Sequence, residues 1–407
     1  MRKINFNDEE IVMVSAVRTP FSKFDTAMKY IPSIDLAMIV MKEVIRRVGM
    51  KPDEIDEINL GSCVLAEMAL EAGVSARQAS LLAGFPVELI SNTMDRACCS
   101  SLTTMRVSML GIRAGELKIA ISVGSENMPR CPHLLPNLRW TPKIGELKIK
   151  DHLFEMGYKA KGFNTLTVDA GEVALEYGVT REMQDEYGMM SHERYFAADA
   201  AGKLDEEIIP VIIPQEKGDP IIIKKDESPR KTSMESLSKL KTVYGSPTVT
   251  AGNSPPLSAG ATAILFMTRS EAEKRHLAPM ATIVDTAAAA SSPREIPVIP
   301  ARSIQKILDR NGLTIDDMKL IEINEAFAAM PLVSTKILAN GDEKKRQELL
   351  DKTNVNGGAI AIGHPVGASA GRITMVLARE LARRGGGYGV AAICGGLSQG
   401  EAVLLKV

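Results

Sequence analysis

Met94-Asp95-Arg96-Ala97-Cys98-Cys99-Ser100-Ser101-Leu102 joins an apolar lead-in, Val87 to Ile90, to a helical pattern carried by Leu102, Met105, Met109 and Ile112. That reads as strand, tight turn and helix, with a cysteine pair near the helix N-terminus. Unpaired N–H groups and the helix dipole at such a terminus favour a thiolate, so a cysteine here is a candidate nucleophile at neutral pH. The plainer reading is two small buried hydrophobes. Only one of the thiols can point from such a turn into a cleft, and the spacing does not say which.

The other end of the chain tips the balance towards chemistry. In Gly357-Gly-Ala-Ile-Ala-Ile-Gly363-His364-Pro365-Val-Gly-Ala-Ser-Ala-Gly371 the glycines permit close backbone approach, and the proline fixes the chain just after the histidine. A histidine held in this way is suited to accept a thiol proton and to hydrogen-bond a carbonyl oxygen. Cys394 ends an apolar run before Gly395 and Gly396. A thiol there can exchange a proton with a reacting carbon or sulfur, and N–H groups around Gly396 can stabilise an oxyanion. A buried strand-end cysteine is an equal reading of Cys394 alone. Asn324 is a candidate to orient a water, and Glu325 to hold the histidine; a turn Asn followed by a helix N-terminal Glu is the alternative.

The chain has 407 residues, 45% of them hydrophobic and 24% charged, which is the make-up of a soluble globular protein with more than one subdomain. A net charge of -1 implies no basic surface for nucleic acid. Lys224-Lys225 and Arg230-Lys231 read as solvated faces unless a ligand carries phosphates. The five cysteines are odd in number and irregularly spaced, without a Cys-x-x-Cys, so neither a disulfide framework nor a metal site is expected. Met1 to Glu10 lacks an apolar targeting core, and no long apolar run is present. The expectation is a cytoplasmic protein without a membrane span.

Short apolar runs at Ile11–Ser15, Glu57–Cys63 and Lys118–Gly124 alternate with helical patterns at Ile34–Val48 and Ser75–Ala83. This predicts an α/β protein with a mostly parallel sheet covered on both faces. From Met128 to about Ser246 the pattern changes, punctuated by Pro129, Pro132, Pro136 and Pro142. A charged helix with Thr180 as N-cap and an apolar–proline stretch, Asp205–Ile223, suited to edge strands, lie within it. We read this region as an insertion. Sheet-like order resumes at Val249, and the second half repeats the plan of the first. The predicted units are 1–125 with 247–275, an inserted loop domain at 126–246, and 276–407.

Taken together, these motifs resemble the thiolase family over nearly the whole chain. The resemblance is carried by Val14-Ser-Ala-Val-Arg-Thr-Pro20, Cys98-x-Ser100, Ser125-Glu126, Thr250-Ala-Gly-Asn253, Asn324-Glu-Ala-Phe327, Gly363-His-Pro-x-Gly367 and the terminal Cys394 with its glycines. Each is weak alone; their joint order is specific. The resemblance implies a five-layer αβαβα fold from two similar halves with an inserted loop domain, and a homodimer or homotetramer. It implies reversible, CoA-dependent cleavage of a 3-oxoacyl-CoA to acetyl-CoA and a shortened acyl-CoA, with CoA as co-substrate and no bound cofactor. By position, Cys98 takes the acyl group and His364 activates it. Cys394 is the general acid and base. His364 and a water held by Asn324 bind one thioester oxygen, and the N–H groups of Cys98 and Gly396 the other. Arg230 and Ser254 fall on the CoA side.

Several positions depart from the family pattern: Asp95, Cys99, Pro255-Pro256, the order Ala370-Gly371, and Thr165-Leu166-Thr167 near the place of an expected His-Met-Gly. His152 with Met156-Gly157 lies early in the chain for that motif. These departures point to an acyl preference other than acetoacetyl-CoA, as in a β-oxidation thiolase. A condensing enzyme of the ketoacyl-synthase type is disfavoured by Asn324 and Cys394. A non-catalytic acyl-CoA-binding or scaffolding subunit is the alternative from another class.

Overall fold

The central strands are apolar on both faces, so they lie inside the protein and not on one side of it. Ile11–Arg18, Ile119–Asn127 and Ser258–Thr268 are buried at every position. A computed structural model describes residues 9–140, 144–157 and 161–407 of the chain; Pro142 and most of Met1 to Glu10 lie outside the described residues. It gathers the strands into one ten-stranded sheet. From one edge the order is Ile90–Met94, Glu57–Gly61, Ile119–Asn127, Ser258–Thr268, Ile11–Arg18, Ala281–Ala290, Gln399–Lys406, Tyr388–Gly395 and Met318–Ile323. Ser22–Lys23 pairs beside Ser258–Thr268.

The sheet is mixed, which corrects the expectation of a mostly parallel one. Parallel pairing is confined to the flanks, where a helix carries the chain back: Glu57–Gly61 with both Ile90–Met94 and Ile119–Asn127, and Met318–Ile323 with Tyr388–Gly395. The middle is antiparallel. There the long excursion between Asn127 and Ser258 and the short turn between Gly395 and Gln399 return the chain in the opposite sense. The lead-in before Cys98 also differs from expectation. Its strand is Ile90–Met94, and Val87 and Ile90 are exposed at the sheet edge.

Pairing order exposes the duplication. The first, fifth, fourth and second long strands of the chain neighbour one another as Ile11–Arg18, Ser258–Thr268, Ile119–Asn127 and Glu57–Gly61. The second half runs Ala281–Ala290, Gln399–Lys406, Tyr388–Gly395, Met318–Ile323, with the same antiparallel, antiparallel, parallel sense. The halves join where Ile11–Met13 pairs with Ala281–Ile283. Helices Ser100–Arg113 and Ser369–Arg383 pack between the two halves in a shared apolar cluster. Ser33–Arg46 covers the outside of the first half and Ile299–Arg310 that of the second. This is the expected sequence of five layers.

Among the described residues, the segment between Asn127 and Ser258 adds no strand to the main sheet. Its helix Arg181–Ala200 is capped as expected: the Thr180 side chain accepts the Met183 N–H. Asp205–Ile223 forms a two-stranded ribbon, Val211–Ile213 with Ile221–Ile223. Buried Arg18, at the end of the first strand, clamps this segment with Nε 2.7 Å from Glu207 and Nη1 2.6 Å from Asp226.

Two glycines allow close backbone packing, Gly61 within the first half and Gly124 between the halves. A Cβ at Gly61 would sit 2.6 Å from the Ser100 carbonyl carbon, and one at Gly124 would overlap Gly367 O and come within 2.8 Å of Ala368 Cα. Both contacts are with backbone, which cannot swing away. Gly124→Ala is therefore expected to lower stability by about 2 kcal/mol or more, read as a reduced urea midpoint with an unchanged m value. A midpoint equal to wild type would mean that this approach is not tight.

Candidate active site

The turn before helix Ser100–Arg113 is held by its own polar groups. Ala97 takes a left-handed φ of 49°, uncommon for a residue with a Cβ. The Asp95 carboxylate accepts the Ala97 N–H at 2.8 Å, and Ser100 Oγ accepts the Arg96 N–H at 2.9 Å. Asp95, a departure from the family pattern, thus shapes this turn. The two thiols point different ways. Cys98 Sγ lies 3.2 Å from His364 Nε2, while Cys99 Sγ is fully buried and 3.8 Å from the Ile393 carbonyl. Geometry selects Cys98.

Arg96 ties this turn to the hairpin that carries Cys394. Its Nη1 is 2.8 Å from Glu401 and its Nε 3.1 Å from the Gln399 side chain. A Cβ on Gly396 would lie 3.5 Å from that of Ala97, so the Gly395–Gly396 turn rests on the Cys98 turn. Cys394, buried at the strand end, pairs with Gly400. Asn324 follows Met318–Ile323, and its N–H donates to Ala392 O at 3.0 Å, two residues before Cys394. The Asn324 side chain is fully buried, and its amide oxygen and nitrogen both lack a protein partner. Such a group has hydrogen-bonding capacity left for a water or a ligand oxygen.

His364 sits in a loop shaped by close approach. Gly363 has φ 106°, and a Cβ there would overlap the Ser258 side chain. The His364 N–H donates to Ser258 Oγ at 3.2 Å, and its ring Nδ1 lies 2.5 Å from Ser369 Oγ. Glu126 holds the loop from behind. Its buried carboxylate accepts Gly367 N–H and Cys63 N–H at 2.9 Å, Val64 N–H at 2.8 Å and Ser62 Oγ–H at 2.9 Å. Glu325 does not hold the histidine, contrary to one of its two sequence readings. It accepts from Ser191 Oγ at 2.8 Å, Asn354 Nδ2 at 3.0 Å and Ile360 N–H at 3.0 Å, bracing helix Arg181–Ala200 against the glycine-rich run.

Burial works against the thiolate that the helix N-terminus favours. Burial pushes the Cys98 thiol well above the usual range, with neighbouring Cys394 adding to the effect. Burial, then the Arg372 charge, holds the His364 ring down to about 3. Cys394 is pushed up to about 12 by burial. Cys98 precedes the helix and lies in a site too desolvated for the terminal N–H groups to offset. At neutral pH the pair is a thiol and an uncharged imidazole.

Arg230 and Ser254 meet the same turn. Arg230 Nη2 donates to Ala251 O at 3.0 Å, and the Ser254 hydroxyl bonds the Thr250 carbonyl. From there Pro255-Pro256 leads to Ser258, whose hydroxyl contacts Pro256 O at 2.8 Å and supports His364. Met156 Sδ lies 3.8 Å from Cys63 Sγ, whereas Thr165 caps helix Leu166–Glu176. Met156, early in the chain, is thus the methionine that reaches the loop beside Cys98.

Family comparison agrees with this arrangement. A model described as "Thiolase, N-terminal domain" matches residues 11–270, and one described as "Thiolase, C-terminal domain" matches 277–407. The chain belongs to the thiolase family. An acetyl-CoA acetyltransferase from Cupriavidus necator is 37% identical over 98% of this thiolase and 99% of the relative, and one from Syntrophomonas wolfei is 38% identical over the same shares. The crystal structure of human mitochondrial 3-ketoacyl-CoA thiolase superposes with TM-score 0.91 at 31% identity, covering 98% of this chain and 99% of that one. The α/β thiolase fold is thereby established.

Glu126 and Ser369 shape the site without being candidates in the sequence reading. Glu126 lies in the Ser125-Glu126 pair and Ser369 begins the helix five residues after His364, but neither spacing announces a contact. The electrostatics predict that alkylation of Cys98 by iodoacetamide accelerates steadily from about pH 6 to about pH 9, as thiolate forms only at the alkaline end. A rate already at plateau near pH 6 would show a preformed thiolate–imidazolium pair.

Proposed function

We propose that this acyltransferase cleaves 3-oxoacyl-CoA reversibly through an acyl thioester on Cys98. The supporting observation is the 3.2 Å contact between Cys98 Sγ and His364 Nε2. As Sγ attacks the 3-oxo carbon, Nε2 takes the thiol proton. The C2–C3 bond breaks, and the electron pair left on acetyl-CoA takes a proton from Cys394. CoA thiol then gives its proton to the Cys394 thiolate and attacks the thioester. Cys98 leaves and regains its proton from His364. A thiol with a pKa near 12 is matched to so weak a carbon acid. His364 and a water on Asn324 face one thioester oxygen; the Cys98 and Gly396 N–H groups face the other. Arg230 and Ser254 take the CoA side, and Arg230 meets its phosphates. The domain division is 1–125 with 247–275, 126–246 and 276–407.

One solved structure, of human mitochondrial 3-ketoacyl-CoA thiolase, is a complex with CoA and has TM-score 0.90 to this chain. CoA is accordingly the co-substrate here. The Met156–Cys63 contact, with Thr165 serving as a cap, supports an acyl preference beyond acetoacetyl and a place in β-oxidation. No helix among the described residues is long and apolar enough to cross a membrane. Two thiols used in their reduced form fit the cytoplasm. A binding subunit has no need of a nucleophile set against a base.

Incubation with a panel of 3-oxoacyl-CoA esters, without free CoA, is expected to leave an acyl group on Cys98 by peptide mass spectrometry. Cys98→Ser should abolish the adduct and lower turnover ~1000-fold or more. Acylation at Cys63 or Cys99, or normal turnover of the serine variant, would refute the assignment.

The sheet edge supports a homo-oligomer. Among the described residues, Ile90–Met94 pairs with Glu57–Gly61 alone, and Val74, Leu82, Val87 and Ile90 are 59–69% exposed around it. An open apolar edge of this kind invites a second copy. Asn92→Pro is expected to shift the sedimentation coefficient towards that of a monomer; an unchanged coefficient would place the interface elsewhere.

A further inference from the structure

We infer that Ser369 is a positioning residue that fixes which nitrogen of His364 faces the nucleophile. This rests on the reading of Cys98 and His364 as nucleophile and base, and deepens it. The argument is one of counting protons. Ser369 Oγ is in contact with two polar atoms, His364 Nδ1 at 2.5 Å and the Pro365 carbonyl oxygen at 3.0 Å. A carbonyl oxygen has no proton to give, so when Ser369 makes both contacts its single hydroxyl proton goes to Pro365. The proton between Oγ and Nδ1 then comes from the ring. His364 carries its proton on Nδ1, and Nε2 presents a lone pair to Cys98 Sγ, 3.2 Å away.

The surroundings reinforce this choice. Ser369 is 1% exposed and opens helix Ser369–Arg383, so its hydroxyl is fixed by its backbone position. The geometry is a side chain bonding back to the carbonyl four residues earlier, which suits a serine in the first turn of a helix. The same Pro365 carbonyl accepts the Ala368 N–H at 2.9 Å, closing the loop into a rigid ring of contacts. The third group behind the histidine is therefore a neutral hydroxyl in place of a carboxylate. It orients the ring and selects the tautomer, and it adds no negative charge that would favour an imidazolium. Nearby Arg372 acts in the same direction, holding the ring uncharged.

The test is the ¹⁵N spectrum of the full chain labelled in histidine, at about pH 7, with His364 assigned by its loss in His364→Asn. The expected resting spectrum has a protonated Nδ1 and an unprotonated Nε2. In Ser369→Ala, Nε2 should become protonated in a substantial fraction of molecules, and kcat should fall about 10- to 100-fold with KM for CoA within about twofold. Ser369→Thr, which keeps the hydroxyl, should restore the Nδ1–H signature. A proton on Nε2 in the wild-type resting protein would overturn the inference, whatever the fate of the alanine variant. So would a folded Ser369→Ala that keeps the wild-type tautomer and kcat. The tautomer is read without substrate, so it fails or stands separately from acylation of Cys98.

Discussion

The active site depends on one buried carboxylate. Glu126 is 1% exposed and receives four hydrogen bonds, three from backbone N–H groups on two different loops. Those loops, one at Ser62–Val64 and one at Gly367, come from opposite halves of the chain. All four partners are donors, so the ionised form is the one that satisfies them. Burial acts against it and pulls the pKa up to about 7. The four contacts act against that shift. Removing any one donor would leave a desolvated charge short of a partner, which is why the approach of the two loops is so closely specified. The glycines at 124 and 367 allow it: at each of them a side chain would meet backbone of the other half.

The same desolvation sets the style of chemistry. A thiol beside an imidazole can rest as an ion pair or as a neutral pair. Among the described residues no carboxylate hydrogen-bonds the ring, and the charge that acts on it is the cation of Arg372. The neutral pair is therefore the ground state. Charge develops only as the thiol attacks, at the moment when the oxygen of the substrate also becomes negative. The site carries groups suited to that moment: an Asn324 amide with spare capacity, and backbone N–H groups at two tight turns. A thiol kept protonated until substrate arrives is also slow to react with oxidants and stray electrophiles.

Much of this was legible in the sequence. Periodicity placed most strands and helices, and the motif order pointed to the family and to the residues that converge. Sheet direction was not legible, because strand sense follows from where a 130-residue excursion re-enters the sheet, and periodicity carries no record of that. The desolvation of Cys98 is not legible for a similar reason. Helix position can be read from local sequence, whereas the depth of burial comes from the other half of the molecule. Glu325 shows the limit most plainly. It follows Asn324 directly and was a fair candidate for the histidine, yet its side chain turns to Ser191, Asn354 and Ile360. A strand end sends neighbouring side chains to opposite faces. One residue serves the site and the next serves the packing of the inserted helix.

The departures from the family pattern follow the same logic of support from beneath. Cys99 lies under Gly395, where a Cβ would be 3.1 Å from its sulfur, so the extra thiol fills space below the turn that carries Cys394. Asp95 keeps the acceptor that the turn requires at Ala97. Pro255-Pro256 stiffens the path from the Arg230–Ser254 turn to Ser258, and Ser258 holds the His364 backbone. A stiff connection of this length couples that turn to the His364 loop. Each of these residues supports from beneath a turn that carries a reactive atom, and the precision of Sγ and Nε2 rests on that support.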